Sequence, residues 1–211
     1  MPEPCRICHT RRPKRHCPGI DGDICPQCCG DQREVNVACP FDCQYLAEAR
    51  LHERAPEIDA SELPNKDVRL TEEFVREHQD LILFSSFTLA DAAMRTAMAT
   101  DADVITALDA LIRTRRTTES GLVYETKPAD RVAAEVQELF DRSLADFQKR
   151  RETEEGRTPY RNAEILGALV FLERSAFAQR NGRPRGRAFI DFLRTRLNVP
   201  IPQPSGGLLV S

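Results

Sequence analysis

Thiols and imidazoles are the side chains best suited to hold a soft metal ion, and this chain gathers its thiols at one end. All eight cysteines fall within the first 43 residues. They read Cys5-x2-Cys8, Cys17, Cys25-x2-Cys28 followed at once by Cys29, and Cys39-x3-Cys43, with His9 and His16 among them. Paired cysteines at such short spacing let one turn present two thiolates to one ion, and two pairs complete a tetrahedral zinc shell. Two structural zinc ions are therefore expected, with Cys5, Cys8, Cys17, Cys25, Cys28, Cys29, Cys39, Cys43 and His16 as candidate ligands. A zinc enzyme would keep a coordination position open for water beside a base, whereas thiolates here suffice to close both sites.

The surrounding composition favours metal over disulfides. The 211 residues are 41% hydrophobic and 30% charged, an ordinary soluble balance with no tryptophan. No apolar run approaches the roughly 18 residues that span a bilayer. The start, Met1-Pro-Glu-Pro-Cys5, has no apolar stretch of the secretory kind. The expectation is a cytoplasmic or otherwise reducing compartment, where clustered cysteines more often hold metal than pair with each other. A disulfide knot is the bland alternative. A redox pair at Cys25-Pro-Gln-Cys28 is another, but it calls for a βαβ context that the sequence does not supply. The net charge of −3 gives no global argument for nucleic acid or an acidic membrane surface.

The elements that must position these ligands are short. Arg33-Glu-Val-Asn-Val-Ala38 alternates polar and apolar residues and predicts a strand. Cys43 to Arg54 is rich in helix formers and predicts a helix, with Cys43 in its first turn, where the helix dipole favours a thiolate. A Cys-x-x-Cys turn, a strand and a ligand-bearing helix start describe a treble-clef zinc module over residues 1–54. The full spacing resembles the HIT and MYND zinc fingers, cross-brace modules that hold two zincs through interleaved pairs. That resemblance covers about 40 residues. It implies one zinc on Cys5, Cys8, Cys25 and Cys28, and another on Cys17, Cys39, Cys43 and one more ligand. Those fingers carry a second cysteine where this chain has Ile20, so Cys29 or His16 must complete the set. Such fingers mostly serve protein interaction. A sequential arrangement stays open, with Cys25, Cys28, Cys39 and Cys43 on one ion and Cys5, Cys8, Cys17 and a histidine on the other.

Residues 55–69 are polar, contain two prolines and lack periodicity, which predicts a linker. Residues 70–198 carry apolar residues at helical spacing and predict an all-α bundle of about five helices. The first runs from a Thr71 cap toward Met98, with a break near Ser85 and Ser86. The second runs from about Thr100 to Gly121, followed by a brief extended segment over Leu122–Thr126. The third has Pro128 in its first turn and ends at Gly156; the fourth opens at Thr158-Pro159; the last covers Ala188 to Asn198. Residues 199–211, with three prolines and two glycines, predict a flexible tail.

The bundle has no phosphate-binding glycine loop, no Glu-x-x-His pattern and no serine-nucleophile turn. Its one histidine, His78, lies in a polar stretch and reads as a surface residue. Two basic runs remain. Arg11, Arg12, Lys14 and Arg15 fill the loop between cysteines, although residues 1–54 balance eight Lys/Arg against eight Asp/Glu. Seven arginines, including Arg183, Arg185 and Arg187, lie between positions 174 and 196 against one acid, Asp191. Either run can touch a phosphate backbone, or neutralise thiolates and pair within the chain. The leading expectation is a non-enzymatic zinc-binding adaptor or regulator that docks a protein partner. The alternatives are a nucleic-acid-binding regulator using these basic runs, and an enzyme with an unrecognised site in the bundle.

Overall fold

Alternation of period 3.6 after residue 70 becomes a helical bundle, and the cysteine-rich start becomes a small module seated on it. The computed structural model describes residues 3–53, 59–119, 121 and 124–201. In the module, β1 (Arg15–Cys17) pairs antiparallel with β2 (Gly22–Ile24), and helices α1 (Pro26–Gln32) and α2 (Gln44–Arg50) follow. After a 3-10 turn at Ala60–Glu62 come α3 (Glu72–Glu77), α4 (Gln79–Arg95), α5 (Asp101–Glu119), α6 (Arg131–Thr153), α7 (Asn162–Gln179) and α8 (Ala188–Leu197). The molecule is therefore a cysteine module plus an all-α bundle. No helix among the described residues is long and apolar enough to cross a membrane.

Helix α7 is the bundle's axis. Ile165, Leu166, Ala168, Leu169, Val170, Leu172 and Ala176 are all buried, so it is apolar around most of its circumference. It packs against α5, α4 and α8, while α6 closes the other side against α4 and α5. Gly167 lies on this helix because a Cβ there would fall 2.3 Å from Phe74 Cζ. Only a bare backbone admits that ring from α3.

Helix starts follow side-chain caps. Thr71 Oγ1 accepts from the Phe74 amide at 3.1 Å, with Glu72 and Glu73 in the first turn. Thr100 and Asp103 exchange reciprocal bonds at the start of α5. Asp130 accepts from Val132 and Ala133 and starts α6, so Pro128 lies outside that helix. The carboxylate of Glu164 takes the Arg161 amide at 2.8 Å, and α7 starts there rather than at Thr158-Pro159.

Other expectations also shift. The first long helix divides at His78, not at the serines, since Ser86 returns its hydroxyl hydrogen to the Ile82 carbonyl inside α4. His78 is not a surface residue: its ring stacks on Phe74 at 4.4 Å, and Nε2 lies 3.6 Å from Glu164 Oε1. The strand expected over Arg33–Ala38 is absent. The Gln32 carbonyl collects the amides of Val35, Asn36 and Val37, a tight turn that leaves one bridge between Arg33 and Val37. The extended segment expected over Leu122–Thr126 and the tail beyond residue 201 lie partly or wholly outside the described residues, but Val199 is in the core. In the stretch expected to be a linker, Pro64, Asn65 and Val68 give their carbonyls to Arg174, and Asp67 pairs with Arg116.

Candidate metal centre and its seam with the bundle

Two turns bring four thiols together. The Cys5 carbonyl accepts from the His9 amide at 2.8 Å, and the Cys5 amide donates to the Arg11 carbonyl at 2.8 Å. His9 takes a left-handed backbone, φ 55°, to close this knuckle. Cys25 then caps α1, with Pro26 at its first position and Cys28 one turn in. The Sγ atoms of Cys5, Cys8, Cys25 and Cys28 all lie within 4.8 Å of one another. A tetrahedral ion with Zn–S bonds of about 2.3 Å sets its sulfurs about 3.8 Å apart, so small rotations close the shell. These four cysteines can hold one metal ion.

Charge and hydrogen bonding suit thiolates. The Cys25 amide donates to Cys5 Sγ at 3.2 Å, and the Cys28 amide to Cys25 Sγ at 3.4 Å. The Arg11 guanidinium stands 4.0 Å from Cys25 Sγ. Hydrogen bonds from the Thr10 side chain and from the Arg11 and Thr10 backbone lower the Cys8 thiol to about 5. The Cys28 amide leads in lowering Cys25. Cys28 is pushed up to about 12, first by desolvation and then by its sulfur neighbours. A cation binding here would take the place of the thiol protons.

The pairing separates the two arrangements left open by spacing. Cys25 and Cys28 join Cys5 and Cys8, not Cys39 and Cys43, so the sequential arrangement is not the one adopted. The other four cysteines, Cys17, Cys29, Cys39 and Cys43, line a separate hollow with Ile24, Arg33 and Tyr45. They are less tightly drawn together, and the first cluster is the one group at metal-binding spacing among the described residues. Cys29 Sγ meets Arg15 at 3.5 Å and Arg33 at 3.7 Å. His16 is mostly exposed, its ring nitrogens turned to Asp23 at 3.3 Å and Asp21 at 3.9 Å.

The arginines are largely engaged within the chain. Arg11 serves Cys25, and Arg15 stacks on Tyr45 at 4.4 Å, while Arg12 and Lys14 are exposed. The turn at 181–187 does not hold all three of its arginines outward. Arg183 donates to the Arg33 carbonyl at 3.1 Å and pairs with Glu53 at 3.4 Å. Arg187 lies over the Phe41 ring at 3.8 Å, and only the Arg185 side chain is exposed.

That turn reveals a residue the spacing gave no reason to single out. Glu34, in a left-handed backbone with φ 52°, is completely buried between module and bundle. Its carboxylate accepts from Arg50 at 2.7 Å, Asn181 at 2.7 Å and the Arg187 amide at 3.0 Å, and its carbonyl accepts from the Arg185 amide at 2.8 Å. Arg50 also reaches Asp191 of α8 at 3.1 Å. Beneath the seam, Asp101 of α5 accepts from the Phe189 and Ile190 amides, both at 3.1 Å, and so caps α8. Burial outweighs those two donors and raises Asp101 to about 6.

No protein-family description, curated protein or solved structure matches the chain. Fold and site define a class all the same: a protein with a candidate four-thiolate metal centre in a small module, joined to an all-helical bundle.

Proposed function

We propose that this is a non-enzymatic zinc-binding adaptor or regulatory protein whose finger and bundle together dock a protein partner. The carrying observation is the four-thiol cluster, in which Cys5, Cys8, Cys25 and Cys28 come close enough to complete a shell. A shell closed by four protein thiolates is the pattern of a structural ion, and soft thiolates in tetrahedral array favour zinc. The joining of the Cys5/Cys8 pair to the Cys25/Cys28 pair across the intervening Cys17 supports the cross-brace type that the spacing resembles. In that reading a second zinc gathers Cys17, Cys29, Cys39 and Cys43. Both Cys29 and His16 border that hollow, and Cys29 is taken as the fourth ligand because its partly buried Sγ sits between two guanidinium groups while the exposed His16 ring pairs with Asp21 and Asp23. All eight cysteines are free thiols, in keeping with a reducing intracellular compartment.

A protein partner is preferred over nucleic acid because Arg183 and Arg187 are engaged at the seam. The purified chain should carry about two zinc ions by elemental analysis. One ion, lost in Cys8→Ser but retained in Cys29→Ser, would withdraw the second site. No metal, with disulfides found by mass spectrometry, would remove the zinc reading altogether. A pull-down with the intact chain, scored for proteins and nucleic acids, tests the partner; recovery of nucleic acid alone would reverse the preference.

A further inference from the structure

We propose that metal occupancy of the Cys5–Cys8–Cys25–Cys28 centre governs the docking of the finger on the bundle, with Glu34 as the latch. This rests on reading the four thiols as a metal centre. The connection between them is short and continuous. Cys25 caps α1 and Cys28 lies in its first turn, and the helix has only seven residues. An isolated helix of that length does not persist in water, so α1 depends on what holds its first turn. Its C-terminal carbonyl, at Gln32, gathers the Val35, Asn36 and Val37 amides into the turn that places Glu34 in its left-handed conformation.

The finger offers little else to hold that turn in place. Its buried cluster is Cys5, Cys17, Ile24, Cys25, Cys28, Val37, Cys39 and Leu46, in which cysteines outnumber aliphatic residues. With the ion gone, thiols remain where a core would be, and α1 loses its anchor. The Gln32 turn then has no fixed helix to extend, and Glu34 leaves the seam.

Loss of the latch has a defined local cost. The Arg185 and Arg187 amides give up their acceptors, and Asn181 gives up its carboxylate partner. Arg183 parts from Glu53, and Arg187 from the Phe41 ring. The start of α8 keeps its cap, because Asp101 comes from α5 inside the bundle. Emptying the centre therefore opens an arginine-bearing face at residues 181–187 while the helices beneath stay folded.

Amide hydrogen exchange on the full chain, zinc-loaded and after chelation, tests this. Removing zinc should lower protection at Arg185 and Arg187 about tenfold or more, leave Val170 and Leu172 of α7 unchanged, and reverse on zinc return. In zinc-loaded Glu34→Ala, protection at Arg187 should fall while bound zinc stays constant. Unchanged protection at Arg185 and Arg187 in chelated protein overturns the latch and leaves the metal centre standing. Loss of protection in α7 overturns it by showing that the whole bundle unfolds. A chain that takes up no zinc overturns the metal reading and the latch together.

Discussion

The finger and the bundle solve the problem of a folded interior with different materials. The bundle buries Leu81, Leu89, Leu108, Leu111, Phe140, Leu169, Phe189 and Ile190 in one continuous apolar cluster. Apolar area removed from water stabilises it at roughly 25 cal/mol per Å², and many side chains share the load. The finger has chiefly sulfur inside, which packs as a small hydrophobe and gains its strength only when deprotonated around an ion. Damage to the bundle should therefore be graded, and damage to the finger nearly all-or-none.

Cys25→Ser tests the finger's side of that contrast with the largest expected effect. Serine keeps an oxygen at the α1 cap but removes a thiolate, so cap loss and ligand loss are separated. If the centre holds structural zinc as proposed, the ion supplies about 10 kcal/mol or more of apparent folding energy, so residues 3–50 should become protease-sensitive while most far-UV helical signal remains. Loss of that signal along with the finger would mean that the bundle's apolar cluster is not self-sufficient.

The bundle's counterpart is Leu169→Ala, at a side chain 1% exposed on the central helix. It should lower unfolding free energy by about 2–5 kcal/mol and leave bound zinc unchanged. Zinc loss on this change would show that the two interiors are one cooperative unit.

A smaller, pH-dependent effect belongs to Asp101. Its native pKa stands at about 6 against an ordinary 3.8, so the folded state holds an extra proton between those values. Stability from this group is present at low pH and declines as pH rises through that window, by on the order of 1–3 kcal/mol. Urea melts at pH 7 and pH 5 should show wild type gaining on Asp101→Asn as pH falls. A constant gap would mean that the two amide donors outweigh burial.

Legibility divides along the same line. The four ligands of the candidate centre and the helical class were readable because each follows from local spacing: Cys-x-x-Cys from one turn, apolar residues every three or four positions from one helix face. Helix starts were less readable. Asp130 and the Arg161–Glu164 pair out-competed prolines at Pro128 and Pro159, since a side-chain acceptor satisfies amides that a fixed φ cannot. Glu34 was not readable at all. Its importance arises from Asn181 and Arg187, some 150 positions away, and nothing in Gln32-Arg-Glu-Val signals a buried carboxylate.

The cap on α8 makes the order of assembly matter. Asp101 lies 88 positions before the Phe189 amide it receives, and the helix it starts has only ten residues. Alone in water so short a segment does not nucleate, so α8 forms only after α5 has brought its carboxylate to the meeting point. A chain ended at Arg187 would lose more than its last helix. It would leave a carboxylate in the apolar interior with no donor facing it, so the truncated bundle should fold more slowly and open more often than its missing contacts alone would suggest.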